Sequence, residues 1–267
     1  MTLLATGRSD GLDIRTDGAI ATILIDGPEH QNMLSPAAFG RLGEAVAALA
    51  ASADVHVVVI RGAGADFFCT GLLNPTLRGT MPKEDILALV FRANAIFDAI
   101  AALPQVVIAG LNGAVRAGGA ELALACDIRL AAAHVRCGMP EAKWGGFPGA
   151  GGPVRLPGLV GYGRALELVA TAREIDADEM LRIGLVERIV PSAEFDAALA
   201  ALATTIAGNG PLATRGAKRI MRVRLEPGFK AARDVSDELR RALEFSADVD
   251  ESIAAHREGR TPRFTGR

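Results

Sequence analysis

Between residues 55 and 131 one order of parts repeats: a β-branched run, a glycine-bearing segment, then a helical stretch. Val55–Arg61 is short, β-branched and closed by Gly62, as a buried strand is. Gly64–Pro82 follows as a long loop, and Lys83–Leu103 resumes helical spacing. Gln105–Ala109 is again strand-like, Asn112–Gly119 glycine-rich, Ala120–Cys126 helical, and Asp127–Ala131 a strand. Such alternation predicts an α/β architecture. A loop as long as Gly64–Pro82 within a compact domain is usually functional.

The flanking segments carry their own signals. Leu12–Arg15 and Ala19–Asp26 predict a hairpin around Asp17-Gly18. Ser35 predicts an N-cap, with Pro36 in the first turn of a helix running to about Ala51. Met139–Gly152 is rich in glycine and predicts a loop with helical pieces. Helices at about Gly161–Ala170 and Asp176–Ile183 then precede a strand, Val186–Val190. From Ser192 the pattern is almost wholly helical, with breaks near Gly208-Asn209-Gly210 and Glu226-Pro227-Gly228. Residues 1–191 and 192–267 are therefore the expected units.

Half of the 267 residues are apolar and 22% are charged, which excludes a disordered or fibrous chain. A net charge of −2 gives no global attraction for nucleic acid or an anionic membrane. Cys69, Cys126 and Cys137 are too few and too scattered for a disulfide framework, and fit a reducing compartment. The opening MTLLATGRSD lacks the layout of a signal peptide, and no apolar run is long enough to span a membrane. A cytoplasmic protein is expected.

Two glycine-rich segments follow buried strands: Phe67-Phe68-Cys69-Thr70-Gly71-Leu72 and Ala117-Gly118-Gly119-Ala120-Glu121. Glycine lets a backbone N–H approach a ligand unhindered, and a helix N-terminus favours negative charge there. Two such amides aimed at one point would make an oxyanion hole. Glycines after a strand more often make a turn or a close packing point, and spacing alone favours that ordinary role. Glu121 falls in the first turn of its helix, where the dipole favours a carboxylate whether or not it reacts. Glu141 follows Pro140 in a region poor in carboxylates. If the two share a pocket, repulsion raises one pKa and yields an acid and a base near neutrality. The histidines, at 30, 56, 134 and 256, suggest no metal site, and no serine stands in a nucleophile setting. Arg215, Lys218, Arg219, Arg222 and Arg224 form a basic run opposite Leu212, Ala217, Ile220 and Met221. The run is expected to be a solvated face, or else an anion site.

Taken together these segments resemble the enoyl-CoA hydratase/isomerase (crotonase) family over nearly the whole chain. Asn32-Met33-Leu34-Ser35 is similar to the family's N-A-L-S element, and Phe68–Leu72 to its F-x-A-G-A-D segment. Asn112-Gly113 through Gly118-Gly119-Ala120-Glu121-Leu122-Ala123 resembles N-G-x-x-x-G-G-G-x-E-L-A. Pro140-Glu141, Pro148–Gly152, Gly184-Leu185-Val186 and Arg260-Thr261-Pro262-Arg263-Phe264 complete the set. The resemblance implies an α/β, crotonase-like spiral of ββα units, with C-terminal helices that pack into homotrimers or dimers of trimers. It implies an acyl-CoA thioester substrate, coenzyme A being part of the substrate, and no separate cofactor or metal.

The same resemblance puts the oxyanion hole at the N–H groups of Leu72 and Gly118, with Glu121 and Glu141 as the catalytic pair. Thr70, Gly71, Gly119, Trp144, Phe147 and Gly149 are the expected substrate contacts. Both glutamates together favour syn hydration of an enoyl-CoA. Isomerisation, dehydration, thioester hydrolysis or a non-catalytic RNA-binding relative are the alternatives. Thr70, Leu72 and Leu73 depart from the family's small residues and aspartate, and Arg116-Ala117 stands where many relatives have an apolar residue and glycine.

Overall fold

A computed structural model describes residues 4–225 and 229–263. The chain opens on three antiparallel strands, β1 (Gly7–Ser9), β2 (Leu12–Asp17) and β3 (Ile20–Ile25). The β2–β3 hairpin turns at Asp17-Gly18, where Gly18 takes a φ of +52° that suits glycine. Ser35 caps α1 (Pro36–Ala50) as expected. Its Oγ accepts from the Ala38 amide at 3.1 Å, and Pro36 occupies a first-turn position whose N–H needs no partner.

Three successive units then build the spiral. β4 (Val57–Gly62) and β5 (Phe67–Cys69) lead through α2 (Pro75–Arg78) into α3 (Lys83–Ala102). β6 (Val106–Leu111) and β7 (Ala114–Arg116) lead into α4 (Gly118–Ala125). β8 (Ile128–Ala132) and β9 (Arg136–Gly138) lead into α5 (Gly152–Val160) and α6 (Tyr162–Thr171). β10 (Glu174–Asp176), α7 (Ala177–Ile183) and β11 (Arg188–Val190) close the strand-bearing part.

The first strand of each unit joins a seven-stranded sheet of order β1-β2-β3-β4-β6-β8-β11, parallel from β3 onward. The second joins a four-stranded sheet of order β10-β9-β7-β5. Val57–Ile60 are all buried, the continuous apolar run expected of a parallel strand covered on both faces. Two buried asparagines pin the crossing from one sheet to the other. Asn32 Nδ2 donates to the carbonyls of Ala63 and Phe67, and Asn112 Nδ2 to those of Gly64 and Phe67, at 2.6–3.1 Å.

Several elements differ from the sequence expectations. β5 and α2 lie inside the expected loop Gly64–Pro82, and β7 lies inside Asn112–Gly119. α4 begins at Gly118 instead of Ala120, which puts Glu121 deeper in the first turn. β9, β10 and α5 have no counterpart in the sequence reading. The short strands have three residues each, too few to show a period, and α5 contains Pro157.

Beyond Val190 the described residues hold helices and no further strand: α8 (Phe195–Ala207), α9 (Pro211–Leu225), α10 (Phe229–Glu244) and α11 (Ala247–Glu258). The expected break at Glu226–Gly228, the side chain of Arg224 and Phe264 fall outside what is described. On α9 the expected faces are reversed. Arg215 donates to the carbonyls of Ala53 and Val55, Arg222 to that of Ala101, and Lys218 to the Gln105 carbonyl and Asp127. Leu212, Ile220, Met221 and Leu225 face outward, 64–83% exposed. Carbonyls at the ends of neighbouring elements take up the cations, so this basic run is not simply a solvated face. Among the described residues no helix is long and apolar enough to cross a membrane.

Candidate active site

The two glycine-rich segments meet. Gly71 has a φ of +93°, and a Cβ there would fall 2.7 Å from the Gly118 nitrogen. A Cβ on Gly119 would fall 2.0 Å from the Cys69 carbonyl oxygen. Side chains at these positions would hold the β5 end away from α4. Gly71 and Gly119 thus set the approach of the two backbones and do not line the adjacent cavities. Among the described residues, neither the Leu72 nor the Gly118 amide donates to a protein acceptor. Gly118 is the first residue of α4, so its N–H is one of the helix's unclaimed donors.

Ala117, the residue before it, has φ 49° and ψ −128°. That conformation is one glycine adopts easily and alanine does not, at a cost on the order of 1–3 kcal/mol. The strain sits directly beside the Gly118 donor. Its carbonyl and amide are fixed on both sides: Ala117 N donates to Gly138 O at 3.0 Å, and its carbonyl accepts from Ala120 N at 2.9 Å.

Glu121 and Glu141 line one small cavity together with Leu72, Gly118, Trp144 and Phe147. Gly149 lines it too. Glu121 is 2% exposed, and its Oε1 accepts from the Gly152 amide at 2.8 Å, at the N-terminus of α5. A Cβ on Gly152 would fall 2.7 Å from Pro148 Cβ and 3.2 Å from that Oε1, so the residue must be small. Glu141 stands in a 3₁₀ turn, Pro140–Trp144. Its Oε2 is cut off from solvent and has no hydrogen-bond partner among the described residues.

Burial raises both carboxyls, Glu121 to about 7 and Glu141 to about 8. The amides of Gly152 and Ala150 counteract the shift at Glu121. At Glu141 the nearby Glu121 charge adds to it. The pair therefore holds one proton near neutrality, favoured on Glu141 because Glu121 has the amides.

A wider cleft of about 750 Å³ adjoins this cavity, with Leu73, Ala117 and Trp144 lining both. Thr70 is in the cleft, where its hydroxyl donates to the Gln31 carbonyl at 3.1 Å. His30, Arg116 and Lys143 also line it. The structure thus brings together the glutamates, both candidate amides, Trp144, Phe147 and Gly149, and leaves Thr70 outside in the cleft.

The sequence reading missed the arginines. Arg78 and Arg240 line the glutamate cavity, and Arg240 comes from α10, far along the chain. Arg155 and Arg233 stand behind it, both paired with Asp98. The one signal available was that Arg240 and Glu244 are four residues apart on a helix.

Two main-chain donors, one of them at a helix N-terminus, beside a proton-sharing carboxylate pair, define a site for polarising a carbonyl and moving a proton next to it. The sequence matches the enoyl-CoA hydratase/isomerase family over residues 15–267, and the chain belongs to that family. It is 33% identical over 250 residues to YngF of Bacillus subtilis, covering 92% of this chain and 95% of that one. Solved structures agree. Enoyl-CoA hydratase from Bacillus anthracis superposes with a TM-score of 0.77 at 33% identity, over 96% of this chain and 100% of that one. An enoyl-CoA hydratase from Mycobacterium avium subsp. paratuberculosis K-10 gives 0.85 at 27% identity, over 96% and 98%. The fold is the crotonase spiral that the motifs implied.

Proposed function

We propose that this chain is an enoyl-CoA hydratase, adding water syn across the 2,3-double bond of an acyl-CoA thioester, with coenzyme A as part of the substrate and no separate cofactor. The supporting observation is the glutamate pair in one cavity beside two unclaimed amides. The Leu72 and Gly118 N–H groups would bind the thioester oxygen and stabilise the enolate that forms as C3 is attacked. Glu121, oriented by its bond from Gly152, takes a proton from water as the oxygen bonds to C3. Glu141 gives its proton to C2. The pair holds one proton before and after, so the carboxyls exchange roles without a change in total charge.

A homotrimer or a dimer of trimers is part of this reading. The outward apolar face of α9 is the surface that would be covered in such an assembly. The three thiols are buried and unpaired, in keeping with a reducing cytoplasm.

Purified protein mixed with short 2-enoyl-CoA thioesters tests the chemistry. Loss of the conjugated absorbance with formation of the 3-hydroxyacyl product is expected. A shifted alkene would mean isomerisation, release of free CoA would mean hydrolysis, and either would displace the hydratase assignment.

A further inference from the structure

The lining of the glutamate cavity is interrupted by two cations. Arg78, the last residue of α2, and Arg240, on α10, are 7% and 3% exposed. They share one counter-ion. Arg240 donates to Glu244 Oε2 at 2.7 Å, and Arg78 pairs with the same oxygen. The two guanidinium groups share that one carboxylate, and the singly protonated glutamate pair in the same cavity carries the other negative charge. Among the described residues, each arginine also keeps a buried Nε–H without an acceptor. That of Arg240 lies against a lining residue, since a Cβ on Gly149 would fall 3.2 Å from it.

Buried charges are ordinarily paired and buried donors ordinarily bonded. The two Nε–H groups in this cavity are therefore short of acceptors among the described residues. Glu121 and Glu141 do not fill that role: Glu121 Oε1 accepts from the Gly152 amide, and neither glutamate takes up an arginine Nε–H. The contact with Glu244, which ties α10 to α2, uses the Nη edges and leaves Nε unused. A hydrocarbon tail would supply no acceptor, whereas a carboxylate supplies several and matches the guanidinium fork.

We infer that the substrate's acyl chain ends in a carboxylate seated on Arg78 and Arg240, making it a short enoyl-CoA of the dicarboxylic type. The chain is short because Arg78 and Arg240 line the same small cavity as both glutamates, so few carbons separate the reacting double bond from the cations. This rests on the enoyl-CoA reading above, and it names the substrate class for that site.

Two measurements on the intact protein separate the claims. Calorimetric binding of glutaryl-CoA against pentanoyl-CoA reads the tail alone, without turnover. Glutaryl-CoA is expected to bind at least about tenfold tighter, as charge-assisted contacts to a buried guanidinium do. Equal or weaker binding overturns the inference. Hydration of glutaconyl-CoA against pent-2-enoyl-CoA reads the reaction, and failure of both to hydrate defeats the hydratase reading alone. Hydration of the pentenoyl thioester without a glutaryl preference defeats only the carboxylate seat. Arg240→Gln and Arg78→Gln should each bring the glutaryl-to-pentanoyl affinity ratio toward one. That ratio does not depend on the fraction of folded protein, and the unaltered chain decides the question if neither variant folds. An undiminished ratio in both folded variants rejects these residues as the seat.

Discussion

Around Glu121 and Glu141 charged groups lie inside the molecule; along α9 apolar groups lie outside it. The glutamate cavity gathers Glu121, Arg78 and Arg240 under almost complete burial, with the half-buried Glu141 beside them and the buried Glu244 paired to both arginines. α9 turns Leu212, Ile220, Met221 and Leu225 to the surface while its cations reach inward to carbonyls. Each departs from the rule that apolar groups are covered and charges wet. The cavity answers the violation within the chain, by ion pairs, amide bonds and a shared proton. Among the described residues α9 has no such answer, and its outward face is left for another surface to cover. Internal polarity of this kind signals chemistry, and external apolarity signals assembly.

The largest test of the inner half of this contrast is the glutamate pair. Glu121→Gln and Glu141→Gln should each lower kcat for hydration by about 10²–10⁴-fold, the usual worth of positioned proton transfer. Steady-state rates with a short enoyl-CoA check this. Near-normal turnover in both would remove chemistry as the reason for the buried charge.

The outer half is tested on α9. Burying an exposed apolar side chain of this size contributes roughly 1.5–3 kcal/mol. The double change Leu212→Glu and Ile220→Glu should therefore weaken self-association by about two orders of magnitude or more. Light scattering across a dilution series reads it, and an unchanged mass would show that this face is not the contact. Lys218→Met, on the inward face, should instead destabilise the single chain by about 1–3 kcal/mol, through the Gln105 carbonyl left without its donor. Comparing melting with association separates the two faces of one helix.

The pH dependence sharpens the inner half further. Hydration needs Glu121 ionised and Glu141 protonated, and their values of about 7 and about 8 predict a bell-shaped kcat/KM with its maximum between. The flanks belong to the coupled pair, not to either residue. Stability follows the same groups. Both folded values lie above the ordinary 4.5, so the folded state binds protons more tightly than the unfolded one. Stability from this source is full below pH 4.5 and is lost as pH rises through the folded values. Glu141→Gln should hence leave Tm little changed at acid pH and raise it relative to the parent above about pH 8. A Tm difference independent of pH would contradict the buried proton.

The smallest expected effect is at Ala117. Ala117→Gly should relieve the positive φ and stabilise the chain by about 1 kcal/mol, the strain relieved less the extra entropy of glycine. Chemical denaturation measures it, and a loss of stability would mean that this backbone is not strained.

Much of the scaffold was legible because its signals are local. Asp17-Gly18, Ser35-Pro36 and the valine run of β4 each carry their own structural instruction. The three-residue strands carry none, since pairing with distant partners defines them. For the site, the ordered motifs pointed to Glu121, Glu141, Leu72 and Gly118, but no local rule in the sequence brings them together. Arg78 and Arg240 were illegible for the same reason, being single arginines made neighbours where α10 packs on α3 and α5 and α11 packs on α2. The faces of α9 misled because amphipathic spacing tells which residues share a side, not which side the rest of the molecule occupies.

The candidate oxyanion donors are main-chain amides, and this separates what the site does from what it accepts. Leu72 can change its side chain while its N–H stays where the contact of Gly71 with Gly118 holds it. Substitutions at 70, 72 and 73 are then free to drift or be redesigned, altering the fit of an acyl group without erasing the carbonyl-polarising step. A scaffold wired in this way can try new substrates one side chain at a time, keeping its reaction as it does so.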